Sequence, residues 1–233
     1  MNGILVALAI FLAAFGFWRF FFFFRNPNRR ITVDTRTVLS PADGFVIYVR
    51  RVEPGRDVIA VKRGEPVLLD DLMTLEDPAI PRHGWLVGIY MSPFDVHYNR
   101  APIAGFIRKI SHGFPRKSRG KNSGMFPGQS NLFFDLRPYW RDCDYLVHNE
   151  RASYIISNEK LSVYVTQIAD RWVRKIVTFK DRVSIGQGEV FGLIRMGSQV
   201  DLFVPDPQGA LEVLAAERKH VRAGIHPLFR MAG

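Results

Sequence analysis

From Ile4 to Phe24 the chain carries one charged side chain, Arg19, and almost nothing else that is polar. A helix of that length can just cross a hydrocarbon core of roughly 30 Å. So much apolar surface must be buried in protein or in lipid, which constrains every later element. Trp18 and the phenylalanines from Phe20 to Phe24 suit the headgroup boundary, where aromatic rings collect. Arg25, Arg29 and Arg30 come at once after it, whereas Met1 to Gly3 offers only the terminal amine. The positive-inside rule therefore predicts an anchor over residues 1–25 in the cell (inner) membrane, with residues 26–233 on its cytoplasmic side. A cleaved signal peptide is the competing reading, but here the charges lie after the apolar run and no small-x-small site precedes them. An in-plane helix in the interface is a further reading.

The 233 residues suffice for one domain with a core and an appendage. A hydrophobic content of 47% excludes a wholly disordered chain. The formal net charge of +10 marks a chain that seeks phosphate, on nucleic acid or on an anionic lipid surface. The apolar run favours lipid, and no zinc-finger, basic-zipper or RNP-type motif argues for nucleic acid. Cys143 is the only cysteine, which excludes an intramolecular disulfide framework and a cysteine zinc site. No metal site is expected.

Asn26-Pro27 ends the helix, since proline disfavours helical geometry in the residue before it. Residues 26–39 read as a linker. Beyond it, β-branched and aromatic runs recur between Gly, Pro, Asn and Asp: Phe45–Val49, Trp85–Tyr90, Leu161–Val165, Lys175–Phe179 and Val200–Val204. The pattern predicts a mainly β fold, a sandwich or barrel with few helices, behind one N-terminal membrane helix. Two soluble helices are expected, over Pro66–Leu75 and in the tail from Gly209 to Val221. The stretch 115–124 is rich in basic side chains and has little to bury, so it reads as a basic loop, either solvated or a clamp on anionic headgroups.

Four short stretches carry chemistry-bearing residues. Ser40-Pro41-Ala42-Asp43-Gly44 is by itself a turn. Ser92-Pro93-Phe94-Asp95-Val96-His97-Tyr98-Asn99-Arg100-Ala101-Pro102 gathers acid, imidazole, amide and guanidinium just after a hydrophobic strand. In an extended chain Asp95, His97 and Asn99 point to one face. Asn149-Glu150-Arg151 could be a turn with a surface ion pair. Gly197-Ser198, in Arg195-Met196-Gly197-Ser198-Gln199, means little in isolation.

In this order the four stretches resemble the phosphatidylserine decarboxylase family, particularly its short prokaryotic form, which includes archaetidylserine decarboxylase-like relatives. The resemblance begins at Phe23-Phe24-Arg25-Asn26-Pro27. It continues through Val165-Thr166-Gln167-Ile168-Ala169 and Arg174-Lys175-Ile176-Val177 to the Gly-Ser and Val-Pro segments. It implies that the protein cuts itself before Ser198, leaving a β chain of residues 1–197 and an α chain of 198–233. The Ser198 hydroxyl attacks the Gly197 carbonyl, and elimination from the ester leaves a pyruvoyl group on the α chain. Such a carbonyl provides the electron sink that loss of carbon dioxide from an amino acid requires. The resemblance assigns Asp43 to the acid of the cleavage relay and His97 to the substrate carboxylate and proton handling. Asn99, Arg100, Arg119 and Lys121 are candidate substrate contacts.

Some positions depart from the family pattern. Arg100 stands where longer relatives have a second histidine. Met196 and Gln199 flank the glycine–serine pair where Phe or Leu and Arg or Thr are commoner, Asp170 stands where many relatives have Gly, and 114–146 carries an insertion.

The implied activity is decarboxylation of phosphatidylserine, or of a close phosphoserine lipid, to the ethanolamine lipid. Its partners would be the membrane, its anionic lipid and the two cleaved chains, and a homo-oligomer is compatible with it. The alternative class is a non-catalytic membrane adaptor built from one anchor and β-rich modules. Gly197-Ser198 beside Asp43 and His97 separates the two, since an adaptor has no use for them.

Overall fold

The computed structural model describes residues 2–56, 59–60, 66–74, 80–116, 118, 120–171, 175–195 and 198–231. The apolar run forms helix α1 (Asn2–Phe17), which continues as a π-helical turn over Trp18–Phe22. Residues Gly3–Phe22 are long and apolar enough to cross a membrane, with a mean hydropathy of 2.2 and none of the span buried in the protein. The helix stops ahead of Asn26-Pro27, as the sequence predicts, and 25–34 then run without regular structure.

The frame is a sheet of eight antiparallel strands, in the order β11-β7-β8-β9-β13-β5-β2-β15. These are β2 (Gly44–Val52), β5 (Gly84–Met91), β7 (Gly105–Gly113), β8 (Arg151–Ser157), β9 (Ser162–Ala169), β11 (Val183–Ile185), β13 (Ser198–Pro205) and β15 (His220–Val221). Two three-stranded sheets accompany it. One joins β1 (Thr37–Leu39), β16 (Pro227–Met231) and β14 (Leu211–Val213); the other joins β10 (Ile176–Thr178), β12 (Val190–Ile194) and β6 (Tyr98–Arg100). A short hairpin, β3 (Ile59–Ala60) with β4 (Pro66–Val67), completes the strands.

Both faces of the large sheet are covered, so its central strands read as continuous apolar runs with few polar breaks. Alternation in β13 sends Val200, Leu202 and Val204 into a first core shared with Val38, Phe191, Ile194 and Phe229 of the small sheets. Phe203 goes to a second core with Tyr48, Tyr90, Tyr139 and Trp140. The second core is roofed by α2 (Leu69–Met73), α3 (Phe126–Phe133) and α4 (Tyr145–His148). Each such side chain contributes ~1.5–3 kcal/mol when fully buried.

A bulge in β2 between Val46 and Tyr48 switches the strand from one core to the other. It lays the Tyr48 ring across Gly88, where any Cβ would lie 2.3 Å from the ring, so this strand position takes no side chain. Arg151 is fully buried, and its guanidinium donates to the carbonyls of Leu72, Asp71, Leu146 and Tyr145. It thereby ties α2 to α4 through carbonyls of both short helices. Asn149-Glu150-Arg151 is therefore a buried clamp at its two ends, and only Glu150 makes the outer ion pair, with His112.

The five predicted strands are present. The tail is not a helix: Leu211, Val213 and Ala215 pack on the first core at alternate positions, and β14 pairs with β16. A period of two there overrides the helix preference of Leu, Ala and Glu, and Arg218 at φ 66° interrupts any helix beyond it. The Pro66–Leu75 helix shrinks to α2, because Pro66-Val67 pairs in the hairpin. Within the basic, insertion-bearing region the sequence reading missed α3 and α4.

Candidate active site

Phe45, Tyr90, Gln199 and Ile168 stand in one row across β2, β5, β13 and β9. One step beyond it, Ser198 opens β13 opposite Met91 and Ala169, while Asp43 precedes β2 at the same end of the sheet. The pleat points Ser198 into the first core, fully buried. Its hydroxyl donates to Met91 Sδ at 3.2 Å, a weak acceptor. Asn99 Nδ2 approaches the same sulfur at 3.9 Å and donates to the Pro41 carbonyl at 3.4 Å. Gln167 Nε2 in turn donates to Asn99 Oδ1 at 2.6 Å, and the buried Gln167 Oε1 has no partner among the described residues.

His97 lies just ahead of β6. Residues 92–95 form a turn, in which Asp95 Oδ2 accepts from the Ser92 N–H and hydroxyl at 2.8 and 2.7 Å. Asp95 Oδ1 accepts from His220 Nε2 at 2.7 Å. The chain is therefore not extended through Asp95, and the expected single face of Asp95, His97 and Asn99 does not form: the acid is held by its own turn. His97 Nδ1 donates to the Asp95 carbonyl at 2.9 Å, which leaves the lone pair on Nε2. Among the described residues that buried Nε2 has no partner. Phe23 covers the imidazole, and burial pushes its pKa down to about 4 against the pull of the Asp95 carbonyl and of the Asp95 and Asp43 charges. The imidazole is neutral at pH 7, with a free basic nitrogen.

β12 ends beside the backbone of His97, since the Ile194 N–H donates to the His97 carbonyl at 3.3 Å, and β13 begins four residues later. Gly197, the other half of the expected cleavage site, lies outside the described residues, as does Arg119.

Asp43 is held by three donors. Arg29 grips both carboxylate oxygens, at 2.6 and 2.7 Å, and the Ala223 N–H donates to Oδ1 at 2.8 Å. The next residue, Gly44, has φ 146°, and a Cβ there would stand 2.1 Å from the Tyr90 carbonyl oxygen. The Asp-Gly pair is thus required by close approach of β2 to the end of β5, more than by an ordinary turn.

Residues 23–29 form a strap from the apolar helix across the site. Arg25 donates to the Phe94 carbonyl at 2.5 Å, and Arg100 donates to Asn26 Oδ1 at 2.8 Å and to the Gly188 carbonyl at 3.0 Å. Arg100 therefore fastens the strap. Lys121 is exposed in the basic loop. Gln199 faces the second core, away from Ser198, where it bonds Tyr145, Tyr48 and Asp201 at 2.7–2.8 Å. Asp170 accepts from the Met125 N–H at 3.0 Å, so this departure too serves the insertion's packing. Among the described residues no cluster of His, Cys, Asp or Glu is placed to hold a metal.

Sequence reasoning picked out Asp43, His97, Asn99 and Ser198, and the structure gathers them at one end of the sheet. It gave no role to Phe23, Arg29, Met91 or Gln167. The buried Ser198 side chain is small, and the Met91 thioether that it meets is also approached by the Asn99 amide.

Residues 17–227 match the family model described as phosphatidylserine decarboxylase. A phosphatidylserine decarboxylase proenzyme of Novosphingobium aromaticivorans is 33% identical over 223 residues, covering 91% of this chain and 75% of that protein. Proteins of the same name from Erythrobacter litoralis and Carboxydothermus hydrogenoformans are 32% and 30% identical. They share 87% and 91% of this chain and 75% and 79% of their own lengths.

Proposed function

The chain belongs to the phosphatidylserine decarboxylase family and is an enzyme of that class, and from that premise we propose that it matures by cutting itself between Gly197 and Ser198. The relatives' names, which call them proenzymes, support a processed form. The observation that carries the reading is a neutral His97 whose Nε2 has no partner among the described residues, at the same end of the sheet as a buried serine hydroxyl that donates to a thioether.

His97 Nε2 takes the proton as Ser198 Oγ attacks the Gly197 carbonyl. The peptide C–N bond breaks, and Gly197 is held as an ester on Oγ. Loss of the Ser198 Cα proton then expels the Gly197 carboxylate, and hydrolysis of the new amino terminus consumes water and releases ammonia. The products are residues 1–197 and a 198–233 chain that begins with a pyruvoyl group. That carbonyl supplies the electron sink for decarboxylation. Asp43, oriented by Arg29 and the Ala223 N–H, supports positive charge on His97 as it takes the proton. In turnover His97 faces the substrate carboxylate and handles the proton, while Asn99, fixed by Gln167, shapes the wall beside Ser198.

The substrate is phosphatidylserine or a close phosphoserine lipid, met at the membrane that holds α1. Residues 26–233 then form the catalytic unit on the cytoplasmic side, with Arg25 and Arg30 near the headgroups. Lys121 and Arg119, on the basic loop, gather anionic lipid, and Arg100 acts through the strap. Family membership sets aside the adaptor reading.

Intact mass spectrometry of the active protein tests the proposal. Two chains divided before residue 198 are expected, the smaller without a free amine. Full activity from an undivided chain would overturn it.

A further inference from the structure

Helix α3 is inside out. Its two fully inward positions are small or polar: Gly128 is buried, and Asn131 is 7% exposed with its amide donating to the Tyr139 and Arg141 carbonyls, while Leu132 packs half-buried on the second core. Its outward positions are aromatic, with Phe126, Phe133 and Phe134 exposed by 74%, 78% and 65%, and Leu136 beyond them. A surface helix in water has the opposite arrangement. No charged residue occurs from Phe126 to Phe134.

The position of α3 says what covers it. Leu132 and Phe133 line a cavity of about 360 Å³ together with Phe45, Tyr90, Ser92 and Arg218. Ser92 belongs to the turn that carries Phe94, which is 66% exposed and 6.4 Å from Trp18 at the end of the apolar helix. The aromatic rim of α3, the mouth of the cavity and the exit of the apolar helix therefore share one side of the molecule. The acid within the patch, Asp135, is neutralised by Arg218 at 3.0 Å, and Arg137 and Arg141 lie on the exposed turn beyond it. Exposed aromatic rings on a segment without charges, flanked by Arg137, Arg141 and Arg218 together with Asp135 and Asp142, are the composition of an interfacial helix.

We propose that Phe126–Leu136 is a second membrane contact, lying in the plane of the lipid surface beside the α1 anchor so that the cavity at Ser92 opens onto lipid. It rests on the reading of α1 as a membrane helix. The two contacts bracket the site and fix its tilt, which a single helix and a flexible joint would leave free.

Single fluorophores on the full chain, in vesicles of phosphatidylcholine and phosphatidylglycerol, test this. Phe134→Cys reports on α3, Phe11→Cys on the anchor, and Lys160→Cys on the turn at the opposite end of β8 and β9 from Ser198. Cys143 does not compete, since it is fully buried and burial pushes its thiol up to about 12. Lipid-borne nitroxide should quench the probes at 134 and 11, and aqueous iodide the probe at 160.

A 134 probe open to iodide while 11 sits in lipid overturns the proposal and leaves the anchor intact. A 134 probe shielded from both quenchers overturns it in favour of a second copy of the chain. If neither 134 nor 11 meets lipid, both readings fall; quenching at 134 alone removes the anchor and overturns the proposal as a second contact beside it. In parallel, Phe126→Ser with Phe134→Ser should raise the vesicle concentration giving half-maximal rate about tenfold, with kcat within about twofold. An unchanged half-maximal concentration in that folded double variant overturns the proposal.

Discussion

Phe23 lies on His97 with ring centroids 4.1 Å apart and an interplanar angle of 31°. The first residue after the apolar helix, buried where the helix itself is not, thus covers the imidazole. Phe23→Ala should raise the His97 pKa from about 4 towards 6.5, read from the imidazole signals by NMR. A histidine whose folded pKa is depressed costs stability as pH falls from about 6.5 towards about 4, because the unfolded chain takes up a proton that the folded one refuses. The variant should lose most of that acid sensitivity. An imidazole still titrating near 4 would show that the ring is not the cover.

Arg29 and Asp43 form a bidentate pair with side chains only 8% and 7% exposed. Removing one member strands the other, at a cost of ~3–5 kcal/mol. Arg29→Gln should lower unfolding stability by about that amount in denaturant titration and slow maturation. A loss below ~1 kcal/mol would mean that Asp43 is held mainly by Ala223.

Asp201 is fully buried, and burial pushes its pKa up to about 6 although Tyr48 and Gln199 bond its Oδ1. Its Oδ2 has no partner among the described residues. Because the folded state holds this proton more tightly than the unfolded chain, stability falls as pH rises from about 4 to about 6. Asp201→Asn keeps an acceptor for Tyr48 and removes the charge. Its Tm relative to the parent should therefore be more favourable at pH 8 than at pH 4.5, and a pH-independent difference would contradict the assignment.

Gly44→Ala would drive a methyl group into the Tyr90 carbonyl at a φ that L residues rarely adopt. The cost should exceed ~3 kcal/mol and be visible as lost soluble yield or a fall in Tm. A parent-like Tm would mean that β2 can withdraw from β5 at this end.

Ser198→Ala should run as one chain on denaturing gels and release no carbon dioxide from the lipid, while keeping the parent circular dichroism spectrum. Carbon dioxide from this variant would exclude Ser198 as the source of the carbonyl.

The strands were legible because Val, Ile and aromatic residues cluster between turn formers, a signal that survives without tertiary context. Helix α3 was not, since Phe126-Pro127-Gly128 looks like a loop and only its packing on Tyr145 and Tyr90 makes it a helix. The tail misled because Leu, Ala and Glu favour helix while β16 offers a free edge. At the site, Asp43, His97 and Ser198 could be found as motifs. Their supports could not: Gln167 reaches Asn99 across 68 residues and Ser198 reaches Met91 across 107, distances at which sequence carries no local mark. Arg29 is only 14 residues from Asp43, yet it reads as one more charge flanking an apolar run.

The strap of residues 23–29 leaves almost no spacer between the apolar helix and the reacting groups. On the proposed function, a catalyst built this way is confined to two dimensions: its turnover should track the surface fraction of substrate lipid, and swelling detergent micelles with inert lipid should slow it even when the bulk concentration of substrate is unchanged.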